Sequence, residues 1–300
     1  MDLKQLRYFV HIAELGSFTR AASFLSVAQP ALSRQIRALE VELRQTLFER
    51  NGRGIKLTEP GKRLLAHSRG ILQQVDNARE DMESARGAAS GHLAIGLAPS
   101  VSRALTAPLV AAFRERFPSA TLTVVDGLSA HVLEWLQMGR VDCAVVYNMA
   151  PSADVELVPV LDEALYLVSA RAEGQPRVGR PISLARLAAT ELVMPSRPHS
   201  IRMVVETALL AAGHKPRIAT EIESVPAILD LVEMHGMHGA LTLNGVNSHR
   251  GGEAFQVRPI GPPRLTTTLW IATSAQRPRG PLLVQSIALL RELLGQVWAE

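Results

Sequence analysis

The chain has 300 residues, of which 47% are hydrophobic and 20% charged. A chain of this length and composition can bury the cores of about two domains, which excludes disorder, and it lacks the uncharged apolar run that a membrane span needs. The opening MDLKQLRYFV lacks the basic start and apolar block of a secretory signal, and the single cysteine, Cys143, cannot form a disulfide framework. We therefore expect a cytoplasmic protein.

The formal net charge of +4 comes from the first third of the chain. Residues 1–90 hold 14 Lys and Arg against 10 Asp and Glu, whereas residues 91–300 hold 18 of each kind. Between Ser17 and Arg69 there are 10 bases and 4 acids. A local surplus of this size favours nucleic-acid binding, although a solvated basic face would give the same count.

Three short helices are predicted in the first 45 residues. Gly16 ends the first helix, Ser17 can cap the second, and the third begins at Gln29 with Pro30 in its first turn. The buried stripe of the third helix consists of Leu32, Ile36, Leu39 and Leu43. Two helices joined by so short a turn are typical of a helix-turn-helix, which places the start of its second helix in the DNA major groove.

The polar face of the third helix carries the candidate base contacts. Gln29, Ser33, Arg34 and Arg37 project away from the apolar stripe. Gln and Arg side chains can each pair with a purine edge through two hydrogen bonds. The alternative is an ordinary solvated helix face.

Residues 48–58 predict a hairpin wing. Two glycines separate two short apolar strands, and the three bases Arg50, Arg53 and Lys56 suit contact with a phosphate backbone or a narrow minor groove. Residues 21–61, AASFLSVAQPALSRQIRALEVELRQTLFERNGRGIKLTEPG, closely resemble the winged helix-turn-helix of LysR-type transcriptional regulators.

This resemblance implies roles for individual residues. Gln29, Pro30, Ser33 and Arg34 would meet base edges and nearby phosphates, and Arg53 would reach the minor groove. We add Arg37, Arg50 and Lys62 from charge and position alone. The family often has serine where this chain has Ala28, which cannot cap the helix, so that phosphate contact has no support here.

A long helix is predicted from Thr58 to about Arg86. Its apolar and small residues recur at alternating intervals of four and three: Leu64, Ser68, Ile71, Val75, Ala78, Met82 and Ala85. This heptad seam predicts a dimer, because the nearby chain offers little apolar sequence against which the seam could pack. We place the domain boundaries at 1–58 for the DNA-binding domain, 59–90 for the dimerisation helix and 91–300 for the effector-binding domain.

Strands and helices alternate after residue 91, which predicts an α/β domain of two lobes. The predicted strands are 92–97, 121–126, 142–147, 164–169, 191–194, 217–222, 239–243 and 265–273. Lobe I would comprise about 91–161 and 265–300, and lobe II about 162–264, with a ligand cleft between them. The LysR resemblance implies the same two-lobed domain, similar to periplasmic binding proteins, in an α+β multidomain fold.

Polar side chains follow the predicted strand ends. They are Ser100, Ser102, Ser129, Ser196, Arg197, His199, Ser200 and Arg202. Hydroxyls and free N–H groups at helix starts, beside arginines, would bind a small anion such as a carboxylate. Each serine could instead be a simple helix cap. We add Thr242, although His238 and Leu243 depart there from the pattern usual in the family.

The resulting hypothesis is a DNA-binding regulator that is modulated by a small anionic effector. The run PSRPHSIR resembles the branch of nitrogen-assimilation regulators, some of which need no effector, so an effector-independent regulator stays open. The implied partners are double-stranded promoter DNA, a second copy in a homodimer or homotetramer, and RNA polymerase. We expect no cofactor, no metal and no membrane partner.

Two other classes remain as alternatives. A solute-binding protein would use only residues 91–300, leaving the basic N-terminal part without a role. A hydrolase is suggested only by the run Gly127–His131, where the second glycine of a nucleophile elbow is replaced by histidine.

Overall fold

The computed structural model describes residues 1–51, 54–84, 91–150, 152–249 and 251–298. The chain forms two compact units, Met1–Gly91 with Gln137–Arg140 and His92–Leu136 with Val141–Glu300. Among the described helices, none is long and apolar enough to cross a membrane. The boundaries that the sequence predicts after residues 58 and 90 stay predictions.

The first unit is a small helical bundle with a hairpin. Its elements are α1 (Leu3–Leu15), α2 (Phe18–Phe24), α3 (Gln29–Leu43), β1 (Phe48–Asn51), β2 (Gly54–Leu57) and α4 (Glu59–Ser84). Asp2 and Gln5 form a capping box at the start of α1, and Gly16 ends the helix in the left-handed conformation at φ 61°. Ser17 caps α2 by accepting from the Arg20 amide at 3.3 Å. These local signals produce the predicted short turns.

The core of this bundle joins α1, α2 and α3 to the hairpin. Its fully buried members include Phe9, Ile12, Leu32, Leu39 and Leu47. Burial of side chains of this size stabilises by about 1.5–3 kcal/mol each. The stripe on α3 is therefore held inward, as the sequence predicts.

The long helix α4 packs partly on its own chain, because Leu64 at the start of the seam lies against the core of the bundle. This corrects the expectation that the nearby chain offers little apolar sequence to cover the seam. Ion pairs join it to α1: Arg69 Nη2 lies 2.8 Å from Glu14 Oε1, and Arg7 Nη2 lies 3.2 Å from Asp76 Oδ1. Along the seam, Ser68 is buried whereas Ile71 remains 38% exposed. The predicted end of the seam at Ala85 lies outside the described residues.

The second unit is built on a nine-stranded sheet with the order β4-β3-β5-β11-β6-β9-β7-β8, and β10 also pairs with β6. The strands are β3 (Gly91–Leu97), β4 (Ala120–Asp126), β5 (Cys143–Tyr147), β6 (Val155–Ala170), β7 (Glu191–Met194), β8 (Arg217–Glu221), β9 (His238–Thr242), β10 (Phe255–Pro259) and β11 (Thr266–Ser274). The helices are α5 (Pro99–Arg116), α6 (Ser129–Gln137), α7 (Leu184–Ala189), α8 (Ser200–Ala211), α9 (Val225–His235), α10 (Leu243–Asn247) and α11 (Pro281–Val297).

The 16-residue strand β6 belongs to both lobes. Its first part, to Ala164, pairs antiparallel with β11 in lobe I, and from Leu165 it pairs with β9 in lobe II. The apolar cores lie apart, one around Val132, Leu136 and Val146 in lobe I and one around Val205, Leu229 and Phe255 in lobe II. Because β6 joins two lobes with separate cores, a cleft remains between the lobes at the carboxyl ends of the parallel strands.

Replacing Gly61 with alanine should destabilise the first unit. Gly61 lies in the first turn of α4, where an added Cβ would sit 2.2 Å from the Leu47 carbonyl oxygen. A backbone atom at that distance must move, which costs about 1–3 kcal/mol. In calorimetric unfolding of the full chain, Gly61→Ala should lower the temperature of the unfolding transition.

The control is Gly295→Ala in α11, where an added Cβ meets nothing within 4 Å. This change should leave stability equal or raised by up to about 1 kcal/mol, because alanine favours helix over glycine. Equal effects of the two substitutions would contradict the packing described for α4.

Candidate DNA-binding surface and ligand cleft

The start of α3 presents a polar face to solvent. Leu32 and Leu39 are fully buried on one side, whereas Gln29, Arg34 and Arg37 are exposed on the other. Ala28 makes no side-chain cap, as its lack of a polar group requires, and Pro30 is exposed in the first turn. These exposed side chains are therefore able to enter a groove of a DNA duplex.

One contact organises this face. Gln29 Nε2 donates to Ser33 Oγ at 2.9 Å, one helical turn further on. The bond leaves the side-chain oxygen of Gln29, Oε1, and the hydroxyl hydrogen of Ser33 to meet a base edge or a phosphate. The guanidinium of Arg34, one position further along, extends this donor-rich surface.

The wing is an antiparallel hairpin in which Arg50 of β1 stands opposite Ile55 of β2. Lys56 is exposed on β2. Arg53, which the family resemblance assigns to the minor groove, lies outside the described residues. Thr58 anchors the base of the wing, because its Oγ1 donates to the Thr46 carbonyl at 2.6 Å and accepts from the Gly61 amide at 3.1 Å.

Two cavities lie between the lobes of the second unit. The first, of about 500 Å³, is mostly apolar and includes Ser129, Tyr147, Met203 and Leu265 among its lining residues. The second, of about 550 Å³, is lined by polar groups from both lobes. Its polar lining comprises Ser100, Ser102, Arg103, Asp126, Glu223, Ser224, Ser248 and His249. Both volumes are typical of small-molecule sites.

Only part of the predicted effector set lines these cavities. Ser129 and Ser200 line the first, and Ser100 and Ser102 line the second. Ser129 Oγ also accepts from the Tyr147 amide at 3.1 Å, and Ser102 Oγ lies 3.3 Å from Thr106 Oγ1. These hydroxyls retain donor or acceptor capacity for a ligand.

The two predicted arginines are engaged by carboxylates of their own lobe. Arg202 is buried, and its Nε and Nη2 lie 2.5 Å and 3.1 Å from Glu206 and Glu221. Arg197 Nη2 lies 2.9 Å from the other oxygen of Glu206. Burial acts to raise the pKa of Glu206, but hydrogen bonds from Arg202 and Arg197 outweigh burial and lower it. The Arg202 side chain is thus directed into lobe II, not into the cleft.

Ser196, His199 and Thr242 also make internal contacts. Ser196 Oγ donates to Glu223 Oε1 at 2.8 Å. Thr242 is buried and caps α10, accepting from the Gly245 amide at 3.2 Å. His199 caps α8, with Nδ1 accepting from the Ile201 amide at 3.3 Å. Burial lowers the pKa of His199 to about 4, so its ring is neutral near pH 7.

The sequence did not indicate a buried pair at the junction of the lobes. The Tyr147 hydroxyl, at the end of β5, donates to Glu163 Oε2 of β6 at 2.5 Å. Both residues are buried, and burial raises the pKa of the Glu163 carboxyl more than this hydrogen bond lowers it. Tyr147 thereby connects the cleft lining to the strand that passes between the lobes.

Charged cleft residues were also missed by sequence reasoning. Asp126 is the last residue of β4 in lobe I, and Glu223 lies two residues after the end of β8 in lobe II. Both are exposed to the second cavity. Arg103 of α5 donates through Nε to the Ser248 carbonyl at 2.8 Å, which joins lobe I to lobe II. The positions of Asp126 and Glu223 at strand ends were visible in the sequence, but the predicted effector set contained only serines, arginines, His199 and Thr242.

Residues matching known families cover most of the chain. Residues 3–62 match the bacterial regulatory helix-turn-helix of the lysR family, and residues 86–295 match the LysR substrate binding domain. The nitrogen assimilation regulatory protein nac of Klebsiella aerogenes is 32% identical over 298 residues, covering 99% of this chain and 95% of that protein. Its namesake in Escherichia coli is 35% identical over 229 residues, covering 76% and 74%.

Solved structures agree with this assignment. CbnR, a LysR family transcriptional regulator, has a TM-score of 0.72 at 25% identity and covers 98% of this chain and 99% of its own. Full-length CbnR in complex with its target DNA has the same TM-score at 26% identity, covering 98% and 100%. The similar proteins are transcriptional regulators and not enzymes.

The protonation of His199 predicts a loss of stability in acid. Its pKa is about 4 in the fold against 6.5 ordinarily, so the unfolded chain takes up the proton first as the pH falls. The free energy of unfolding should therefore decrease between about pH 6.5 and pH 4. His199→Asn keeps a capping group and should flatten this dependence in denaturant titrations.

The matched control is His131→Asn, at an exposed position of α6. It should leave the pH dependence of the parent chain unchanged. A flattening as large as that of His199→Asn would show that burial of the His199 ring is not the cause.

Proposed function

The chain belongs to the LysR family of DNA-binding transcriptional regulators, and we propose that it recognises its operator through the start of α3 and responds to a ligand held between its two lobes. Gln29, Pro30, Ser33, Arg34 and Arg37 would contact bases and nearby phosphates. Arg50 and Arg53 would contact the backbone or minor groove from the wing. The observation that carries this proposal is the exposed donor face opposite the buried stripe of α3.

Assembly into a homodimer through α4 supports recognition of two half-sites. The half-exposed Ile71 on the seam is available to a second copy. Two linked heads bind two half-sites more tightly than one head binds either, because the second contact becomes intramolecular. A homotetramer and a contact with RNA polymerase, both implied by the family, complete the proposed assembly.

The second cavity supports an effector that carries a carboxylate. Ser100 and Ser102 lie in the first turn of the 18-residue helix α5, and Arg103 adjoins them. Hydroxyls, backbone N–H groups and the positive end of the helix dipole all favour an anionic group there. This is the anionic effector that the sequence predicts, with Arg103 replacing Arg197 and Arg202.

The same cavity also favours a cationic group on the effector. Asp126 and Glu223 approach it from opposite lobes, and among the described residues neither forms an ion pair. His199 does not compensate Glu223, because its ring is neutral. A zwitterion such as an amino acid satisfies both sets of charges, and its side chain would suit the apolar part of the same lining, around Leu128 and Leu229.

An effector-independent regulator is the second candidate. The observation that favours it is the pairing of Arg197 and Arg202 with Glu206, which removes two predicted anion contacts. Sequence similarity to the nac proteins supports the same candidate through the branch that the PSRPHSIR run resembles.

Replacing Arg34 with alanine should reduce discrimination more than overall affinity. A bidentate arginine contact contributes about 1–3 kcal/mol to the choice of base. The full chain should first enrich a preferred duplex from a random pool, with binding that weakens steeply as salt increases. In gel retardation, the ratio of the Kd for a random duplex to the Kd for this preferred duplex should fall by about tenfold or more in Arg34→Ala.

Arg63→Ala is the control for a general charge effect, since Arg63 is exposed near the start of α4. It should weaken binding to both duplexes by a similar factor. If Arg63→Ala lowered this Kd ratio as much as Arg34→Ala, the proposal that α3 recognises bases would be wrong.

The effector is tested by thermal unfolding with matched compounds. Apolar amino acids are compared with the carboxylic acids that lack the amino group and the amines that lack the carboxylate. A ligand at a hundred times its Kd stabilises by about 2.7 kcal/mol. The amino acids should raise the Tm most, and Asp126→Asn or Glu223→Gln should remove that advantage while Glu233→Gln, on the exposed side of α9, should not.

The outcomes separate the proposals. If the plain carboxylic acids raised the Tm more than the amino acids did, the cleft would remain a candidate anion site. The proposal that the effector carries a cationic group would then be wrong. No shift with any compound, together with full DNA discrimination, would favour the effector-independent regulator.

A further inference from the structure

Lobe II contains another cavity at the amino ends of its strands. This pocket, which we call the rear pocket, has a volume of about 650 Å³. Its rim includes Glu191 at the start of β7 and His238 at the start of β9. The strands β7 and β9 are neighbours in the sheet. The cleft lies at the opposite, carboxyl ends of the same strands, roughly 15 Å away along strands of this length.

The rim of the rear pocket is basic. Arg186 of α7, Arg258 of β10, His235 of α9 and His238 line it, and Glu191 is the one carboxylate among the described lining residues. Glu191 is already paired, since its Oε1 lies 2.6 Å from Nη2 of Arg217. Within the described chain, neither Arg186 nor Arg258 forms an ion pair with a carboxylate. Two guanidinium groups therefore face the cavity without a carboxylate partner among the described residues.

The position of Arg258 is fixed by the backbone. Its Nε donates to the Arg180 carbonyl at 3.0 Å, and this bond uses one donor without neutralising the charge. The stem of the side chain passes close to Gly179, where an added Cβ would lie 2.9 Å from Arg258 Cγ. The terminal guanidinium nitrogens thus remain donors at a defined place on the rim.

Helix dipoles provide the competing explanation for these bases. Arg186 lies in the last turn of α7 and His235 in the last turn of α9, where a cation is favourable by itself. Each helix end supplies at most about half a negative charge, so two ends offset about one of the two guanidinium charges. About one positive charge therefore remains to attract a ligand. The apolar floor of the pocket is formed by the buried side chains of Leu167, Ile182 and Leu192.

We propose that the rear pocket is a second binding site, for a small polyanion bearing carboxylate or phosphate groups. Guanidinium forks bind these groups through paired hydrogen bonds, and the apolar floor strengthens such charge contacts by excluding water. The two histidines add ring N–H donors at the rim. The cavity is large enough for a metabolite-sized molecule, and the site is independent of the interlobe cleft.

The experiment is calorimetric titration of the full chain at constant ionic strength with citrate and, separately, a sugar bisphosphate. Saturable binding of either probe is expected, and the better probe distinguishes the carboxylate source from the phosphate source. Arg186→Gln and Arg258→Gln should each weaken binding about ten- to hundredfold, the loss expected for a charged hydrogen-bonding group. Arg186 is exposed, so its variant should fold normally, with an unchanged Tm in the absence of the probe.

Two controls complete the design. Lys215→Gln removes one exposed charge from the same lobe and should change the Kd less than twofold. Asp126→Asn, in the cleft, should leave it unchanged. Equal losses in Arg186→Gln and Lys215→Gln, dependence on Asp126, or no binding of either probe to the parent chain would each overturn the proposal.

Discussion

Burial of the apolar stripe on α3 orients the entire DNA-binding surface. Leu32 and Leu39 are fully enclosed by α1, α2 and the base of the hairpin, so α3 cannot rotate about its axis without exposing them. Exposing even one such side chain costs about 1.5–3 kcal/mol. The polar face beginning at Gln29 is therefore held outward before any DNA is present, and little ordering free energy is lost on binding.

The second unit applies a comparable constraint to its ligand site. Strand β6 carries pairing in both lobes, with the buried Tyr147–Glu163 contact near the point of passage and the Arg103–Ser248 contact across the cleft. A ligand can shift the arrangement of the lobes only if it binds one arrangement more tightly. The proposed effector provides such a difference if its cationic group lies between the carboxylates of Asp126 and Glu223, because that group favours the lobes being close.

The sequence predicted most of the architecture because both units are built from simple local signals. Short apolar strands, helix caps at Ser17 and Thr58, and the stripe on α3 are all determined by near neighbours in the chain. The first half of β6 was missed, since its sequence alternates weakly and contains Pro159. The individual contacts assigned to the DNA-binding residues stay predictions.

The charge of the cleft was beyond sequence reasoning for a physical reason. Arg202 pairs with Glu206 at a helical spacing that the sequence shows, but its second partner, Glu221, comes from a neighbouring strand. Likewise Asp126 and Glu223 meet one cavity from different lobes. Long-range pairing decides which charges are neutralised, and only the folded chain reveals it.

Photo-crosslinking from α3 tests most directly whether its outward face meets DNA bases. A benzophenone side chain in place of Ser33 should label a specific duplex inside its recognition sequence, whereas the same group in place of Glu42, an exposed residue on the far part of the helix, should not. Strong labelling from position 42, or none from position 33 in a variant that still binds the duplex, would contradict the orientation imposed by the buried stripe.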